Sequence, residues 1–471
     1  MPSSRIPHVF STTNPWHAAH ELETLTPLTA AHPHTLTCAQ TSAQTSAQTS
    51  AVWLHTQDLT AMSASSAQLS PEPVSNRQFV MAAPTFRRIA ALPAPVAGSA
   101  MVAAVSSRYA NVQRAIQVRE RPVPTIKPDQ VLVKQYASSI NSGDWRLLTG
   151  RPGLVKLMFP KCCCCSAKTQ GADISGVVVA KGANVTKFAV GDEVVGTVDG
   201  VGAYAEYCAA PAGNLTRKPT TVSFLAAAGA VQSALTALQA LRNTARIKPG
   251  QSVLVIGASG SVGSYAVELA KHHFGAARVT AVCSTSKIDM VRALGADTVL
   301  DYRSQNWWEL AREGGHNAPY DIVLQTGGNA WASRSRGVLT PKGTFVCVGT
   351  STVGTLGFIG RAIAMAWQSS SNGRQYKMHM MSNGTYGEDT VLTMRLMHEG
   401  RLTPRVGRVF NHRDVVPAFE TYEHARVRGK VLFSFANPDE GTASVGAGAG
   451  AGAGEATSAG LRQRSSVRSA Q

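Results

Sequence analysis

The chain has 471 residues, 44% of them hydrophobic, and 45 basic against 28 acidic residues give a net charge of +17. That length and apolar content suffice for two or three domains with substantial cores, which excludes a wholly disordered or fibrous chain. Eight cysteines, four of them adjacent at Cys162 to Cys165, do not make a disulfide framework, and adjacent cysteines cannot wrap a metal ion as C-x-x-C spacings do, so they read as oxidisable thiols of a surface loop.

Residues 1–100 are rich in Ala, Ser, Thr, Gln and Pro, repeat Ala-Gln-Thr-Ser three times between Ala39 and Ser50, and carry no sustained period. They read as a disordered leader. No acidic residue occurs between Glu72 and Glu120, while Arg77, Arg87, Arg88, Arg108 and Arg114 punctuate Ala-, Ser- and Pro-rich sequence, the chemistry of an organelle transit peptide, and Met81 offers a second starting point for one. From Pro438 the tail of alternating Gly-Ala and then Arg and Ser reads as a flexible extension. The two ends hold seven basic and seven acidic residues, leaving 38 basic against 21 acidic on residues 101–437. So basic a body attracts anions: a cofactor, a membrane surface or RNA, although no nucleic-acid motif accompanies the charge. No run of about twenty apolar residues stands out, and the body is expected to be soluble, with membrane contact at most peripheral.

Short strands dominate the first part of the body: Val131 to Lys134, Gly176 to Ala180, Glu193 to Val198 and Ala203 to Cys208, separated by turns such as Gly182-Ala-Asn. This is a β-rich region. The pattern changes at Val253-Leu-Val-Ile256, a continuous apolar run suited to a parallel strand covered on both faces. Ala258-Ser-Gly-Ser-Val-Gly263 and an amphipathic helix to Lys271 follow. Such a turn lets Gly260 bring the backbone close to a pyrophosphate and Gly263 pack the helix on the strand, with Ser261 and Val262 at a helix N-terminus that favours anions. Ala258 replaces the first glycine of the dinucleotide fingerprint. The next strand, Arg278 to Cys283, ends in Ser284-Thr-Ser-Lys287 where an NAD-selecting chain places an acid, so Ser284 and Lys287 are expected to hold the 2′-phosphate of NADPH. A helix over Ile288 to Leu294, strands at Thr298 to Leu300, Ile322 to Gln325 and Thr344 to Val348, helices at Thr390 to His398 and Val415 to His424, and a last strand from Gly429 to Phe433 complete the pattern.

Residues 101–437 resemble the medium-chain dehydrogenase/reductase superfamily, in its zinc-independent quinone oxidoreductase branch, and among its members the plastid envelope quinone oxidoreductase homologues and oxoene reductases. The likeness rests on Ser139-Ile-Asn-Ser-Gly-Asp-Trp145, Gly171-Ala-Asp-Ile-Ser-Gly176, Phe188-Ala-Val-Gly-Asp-Glu193, Ala234-Leu-Thr-Ala-Leu238, the glycine turn, Leu294-Gly-Ala-Asp-Thr-Val-Leu-Asp-Tyr302 and Arg428-Gly-Lys-Val-Leu432. It implies an α/β fold: a GroES-like β-rich catalytic domain over 101–228 with 378–437, and a doubly wound Rossmann NADPH-binding domain over 229–377. Asn141 stands where the zinc-dependent members have a cysteine, and Ala172 and Asp173 replace their His-Glu pair.

The resemblance implies an NADPH-dependent reductase passing hydride to a small, hydrophobic, electron-poor acceptor, a quinone or an α,β-unsaturated carbonyl, in a monomer or homodimer of the chloroplast or alternatively the mitochondrion. An NADPH-binding protein of RNA or anionic membranes is the other reading. By the resemblance Asn141 lies near the nicotinamide, either donating its amide to a developing oxyanion or holding the strand end. Asp144 and Arg146 orient it, relay a proton, or form a surface ion pair. Thr236, Thr326, Gly327, Val348, Gly349 and Thr350 follow the cofactor; Tyr302 lies by the adenine or simply packs; Lys430 approaches the cofactor or is an exposed strand-start lysine. Leu356 to Trp367 either roofs the acceptor or belongs to the core.

Overall fold

The computed structural model describes residues 85–435 with interruptions, the longest at 157–166, 313–318, 328–336 and 349–359. The leader, the tail, Cys162 to Cys165, Gly349, Thr350 and most of Leu356 to Trp367 therefore lie outside the described residues.

The first part of the body contains β1 (Ala100–Ser106), α1 (Val112–Ala115), β2 (Gln117–Pro122), β3 (Gln130–Ser139), α2 (Ser142–Thr149), β4 (Lys168–Thr169), β5 (Asp173–Lys181), β6 (Glu193–Thr197), β7 (Tyr207–Pro211) and β8 (Leu215–Arg217). The run expected as a strand from Ala203 enters regular pairing only at Tyr207. β3 is the hub. It pairs antiparallel with β5 along one edge, and with β7 and then β16 (Lys430–Ser434) along the other, while β15 (Val406–Asn411) lies parallel to β16. The two last strands thus join the β-rich sheet across more than two hundred residues of intervening chain, and bring the start of β16 to the end of β3.

Between them runs the parallel sheet, in the order β11 (Thr298–Asp301), β10 (Arg278–Cys283), β9 (Ser252–Ile256), β12 (Tyr320–Gln325), β13 (Leu339–Val348), β14 (Gln375–His379). Side chains alternate across a strand, and here both faces are dry: Val253 and Val255 enter one core, Leu254 and Ile256 the other. β14 pairs with β13 as far as His379, so the boundary expected after residue 377 falls inside a strand. Met365 packs with Trp307, Tyr320 and Phe345, taking the core alternative for that residue.

The helix α3 (Phe224–Gln239) links the two sheets and continues in a wider π-helical turn, Ala240–Ala245. Over Phe224–Ala245 it is long and apolar enough to cross a membrane by length and composition, contrary to the expectation that no such run exists. Of its most apolar stretch of 18 residues 78% is buried, so here the run builds a core. Ser223 caps it by accepting the Ala226 N–H at 3.2 Å. Gly229 lets it approach β16, where a Cβ would already touch Leu432 at 3.4 Å. Among the described residues the further α-helices are α4 (Ser261–Glu268), α5 (Ile288–Ala293), α6 (Trp307–Arg312), α7 (Tyr386–His398) and α8 (Val415–Glu423).

Candidate active site

β9 ends in the glycine turn, and the first residue of that turn was missed in the sequence. Gly257, directly before Ala258, has φ +80°, a conformation in which a side chain is strained. A Cβ on Gly263 would stand 2.2 Å from the Gly257 carbonyl oxygen and 2.8 Å from Thr326 Oγ1, so only glycine lets α4 seat against β9. Thr326 closes the turn from β12, donating its hydroxyl toward the carbonyls of Ile256 and Gly257, both at 3.1 Å. Gly260 precedes α4, and a Cβ on it would stand 3.3 Å from the Gly257 carbonyl oxygen; Ser261 and Val262 are partly exposed, while Ala258 is buried. A cradle that a Cβ would fill, opening onto a helix N-terminus, fits a dinucleotide pyrophosphate.

At the end of β10, Ser284 is buried and Lys287 partly exposed. A carboxylate does stand nearby. Asp301 ends the adjacent strand opposite Cys283. It accepts the Thr285 hydroxyl at 2.5 Å and the Arg303 N–H at 2.9 Å, which hold its pKa down. Those bonds pin the Ser284 to Lys287 loop to β11. Tyr302 follows and is 46% exposed, so the expectation of a packing tyrosine is overturned and its ring is available to a ligand. Val348 ends β13 buried in the core, and Thr236 lies partly exposed on α3 with its hydroxyl bonded to the Gln232 carbonyl. Gly327 follows Thr326 and is partly exposed.

The densest polar cluster lies where β3, β5 and β16 converge. Asp173 begins β5 and is fully buried; its Oδ2 accepts the Ser139 hydroxyl and, at 2.8 Å, the Asn141 amide. Lys430, the first residue of β16, is 4% exposed and donates to the Ile140 carbonyl at 3.0 Å and to Asn141 Oδ1. Asp144, also 4% exposed, accepts the Asn141 backbone N–H and the Tyr204 hydroxyl, each at 2.8 Å.

Three expectations change here. Lys430 is no exposed strand-start lysine, because two carboxylates offset its charge inside the protein; burial lowers its pKa while Asp173 and Asp144 raise it. Nor is Asp144 half of a surface ion pair with Arg146: it is buried and turned toward Asn141 and Tyr204. Of the two tasks weighed for Asn141, the geometry supplies the structural one, since its amide donates inward to Asp173 and, at 3.4 Å, to the Ser139 carbonyl.

Burial raises the pKa of Asp173, opposed by Lys430 and by the hydrogen bonds from Ser139 and Asn141. It raises that of Asp144 to about 7, Asp173 adding to the rise. Arg146, one turn along α2, points elsewhere. Its guanidinium is partly buried, which lowers its pKa, and lies within electrostatic reach of Tyr422 on α8 and of Cys347 near the end of β13. The Trp145 indole N–H donates to Glu423 at 2.7 Å, tying α2 to α8 at this point. Arg146 is thus the charged group of α2 that faces the C-terminal end of the parallel sheet. Asp173 and Tyr204 belong to the site although neither had been assigned a role in it; Asp173 was marked only by replacing a glutamate, and Tyr204 by nothing.

Residues 127–220 match the alcohol dehydrogenase GroES-like domain, and residues 294–432 match a family described as zinc-binding dehydrogenase. The chain is 31% identical to the 2-methylene-furan-3-one reductase of Solanum lycopersicum over 320 residues, covering 66% of this chain and 73% of that one. It is 36% identical to the chloroplastic NADPH-dependent alkenal/one oxidoreductase of Arabidopsis thaliana, over 43% of this chain and 51% of that protein. Among solved structures, the quinone oxidoreductase of Coxiella burnetii superposes with a TM-score of 0.63 at 28% identity, over 72% of this chain and all of that one. The residues here do not fit the zinc of the matched family's description. An ammonium, from Lys430, already occupies the Asn141 carbonyl oxygen, Asp173 Oδ2 is taken up by Ser139 and Asn141, and among the described residues no three His, Cys, Asp or Glu side chains come together to hold a metal.

Proposed function

The chain belongs to the medium-chain dehydrogenase/reductase superfamily and is an oxidoreductase, and from that membership we propose that it is a zinc-independent, NADPH-dependent reductase of quinones or α,β-unsaturated carbonyls. The observation that carries this reading is the Lys430–Asn141–Asp173 cluster: where a Lewis acid would polarise an alcohol, this chain keeps a lysine. Such a site suits an acceptor that is already electron-poor. When bound, the reduced nicotinamide supplies the hydride. The chain's own residues hold the pyrophosphate at the Gly257 to Gly263 turn and the 2′-phosphate at Ser284 and Lys287, with Tyr302 beside the adenine.

Arg146, a partly buried guanidinium within electrostatic reach of Tyr422 and Cys347 at the C-terminal end of the parallel sheet, stabilises the oxyanion that develops on the enolate or hydroquinone. Asn141 and Asp144 set its position through the backbone of α2. The chloroplastic relative, together with the acid-free, arginine-punctuated stretch between Glu72 and Glu120, supports a chloroplast location for this chain.

The test follows the absorbance of NADPH and of NADH separately with a 1,4-quinone, a 2-alkenal, a long-chain γ-ketol enone and ethanal, with and without chelator. Oxidation of NADPH by the unsaturated acceptors, unaffected by chelator, is expected. Turnover of ethanal alone, stopped by chelator, overturns the proposal.

A further inference from the structure

We propose that Lys430 and Asp173 are positioning residues, a buried ion pair bridged by the Asn141 side-chain amide, and that Lys430 does not contact the cofactor. The inference rests on the reductase reading only for the identity of the reaction. Its basis is geometric. The ammonium is 4% exposed and spends two hydrogen bonds on the Ile140 carbonyl and Asn141 Oδ1; the carboxylate is fully buried and receives Asn141 Nδ2 at 2.8 Å and the Ser139 hydroxyl. The amide therefore stands between opposite charges with its carbonyl toward the cation and its N–H toward the anion, the orientation in which each end is stabilised.

Residues 139 to 141 are the last of β3 and the first before α2. Ser139 is held by Asp173, Ile140 by Lys430 and the Asn141 side chain by both, and Asn141 N–H is held by Asp144. The three strands involved come from the two ends of the β-rich domain: Asp173 from β5, Lys430 from β16, 257 positions later. Lys430 N–H also donates to the Arg405 carbonyl at 2.8 Å, and Gly429 has φ +97° with Arg405 O 2.8 Å from where a Cβ would be, so the lysine enters the cluster from a tightly bent, closely packed turn. What the pair controls is the start of α2, and through one helical turn the place of Arg146.

The experiment is a double-mutant cycle on the full chain: wild type, K430M, D173N and K430M/D173N, each assayed for NADPH affinity by fluorescence titration, for kcat with the acceptor the wild type uses, and for resistance to urea. Each single variant strands a buried charge. Both are expected to keep the NADPH Kd of wild type while kcat falls about a hundred-fold, the scale of a displacement of about 1 Å at a reacting group. The double variant, neutral at both positions and able to keep an amide partner for Asn141, is expected to regain at least about ten-fold of that loss and to resist urea better than either single one.

A ten-fold weaker NADPH Kd in K430M with D173N unaffected would overturn the proposal by assigning the ammonium to the cofactor. So would losses that simply add in the double variant. If wild type reduces none of the acceptors, the reductase reading fails by itself, and the urea and NADPH arms of the cycle still decide the pairing. If K430M does not fold, recovery of the fold in the double variant supports the pair and its absence refutes it.

Discussion

Replacing Asp144 with Asn should make the protein more stable in mild alkali and leave it nearly unchanged in mild acid. Asp144 is held against Asn141 N–H and the Tyr204 hydroxyl inside the β-rich domain, with Asp173 and Lys430 as the other charges of the cluster. Burial, reinforced by Asp173, raises its pKa from an ordinary 3.8 to about 7, against the lowering effects of its two hydrogen bonds and of Lys430. The folded state therefore holds this proton more tightly than the unfolded chain. Between about pH 4 and pH 7 the unfolded chain gives up its proton and the folded one does not, so this group's contribution to stability falls as pH rises through that window and levels off above it.

At about 1.4 kcal/mol for each pH unit separating the two values, the loss is on the order of 4 kcal/mol above pH 7. Asn keeps the shape and an acceptor oxygen but cannot ionise. The Asp144→Asn variant should thus match wild type within about 1 kcal/mol at pH 4, where the carboxyl is protonated in the fold and still partly so in the unfolded chain, and exceed it by about 2–4 kcal/mol at pH 8.5. Urea titrations followed by tryptophan fluorescence at the two pH values measure the difference. Equal destabilisation of the variant at both would refute the reasoning, because it would mean that the fold needs an ionised Asp144.

Gly263→Val should abolish cofactor retention, since its Cβ alone falls 2.2 Å from the Gly257 carbonyl oxygen; an NADPH titration checks this, and affinity within two-fold of wild type would contradict the assigned turn. Lys287→Ala should weaken NADPH by about ten-fold or more, the worth of one charge-assisted contact, and leave NADH unchanged; equal effects on both would remove Lys287 from the 2′-phosphate site. Arg405→Met leaves Glu268 buried without its 2.6 Å partner and should cost about 3–5 kcal/mol in denaturant titrations. Adding Glu268→Gln to that variant should restore most of the loss, and failure to do so would mean that packing of Arg405 over the Tyr265 ring, not its charge, is what matters.

The parallel sheet was legible because its determinants are local. Val253 to Ile256 has no polar residue, is short, mostly β-branched and closed by a glycine turn, which together mark a strand covered on both faces; β10 was bounded correctly at Arg278 and Cys283. Gly257 escaped because the fingerprint was aligned on Ala258, although a glycine immediately after a strand is itself the mark of a left-handed turn.

The cluster around Asn141 was legible as a set of residues and illegible as an arrangement. A lysine that opens a strand reads as solvated unless something compensates its charge, and nothing near Lys430 in the chain does so; its partners are 289 and 257 residues away. Asp144 and Arg146 look like a pair at i, i+2, yet a helix turns them about 200° apart, and each answers to a different neighbour: Asp144 to Tyr204 inside the β-rich domain, Arg146 to Tyr422 on α8 and Cys347 on β13. That divergence gives the site its division of labour. Asp173 and Lys430 offset each other's charge and, with Asp144, fix α2, while the guanidinium of Arg146 faces the end of β13. On the proposed reading, an acceptor that gains negative charge at that point would be stabilised by a cation the fold has already oriented, without a metal at this position.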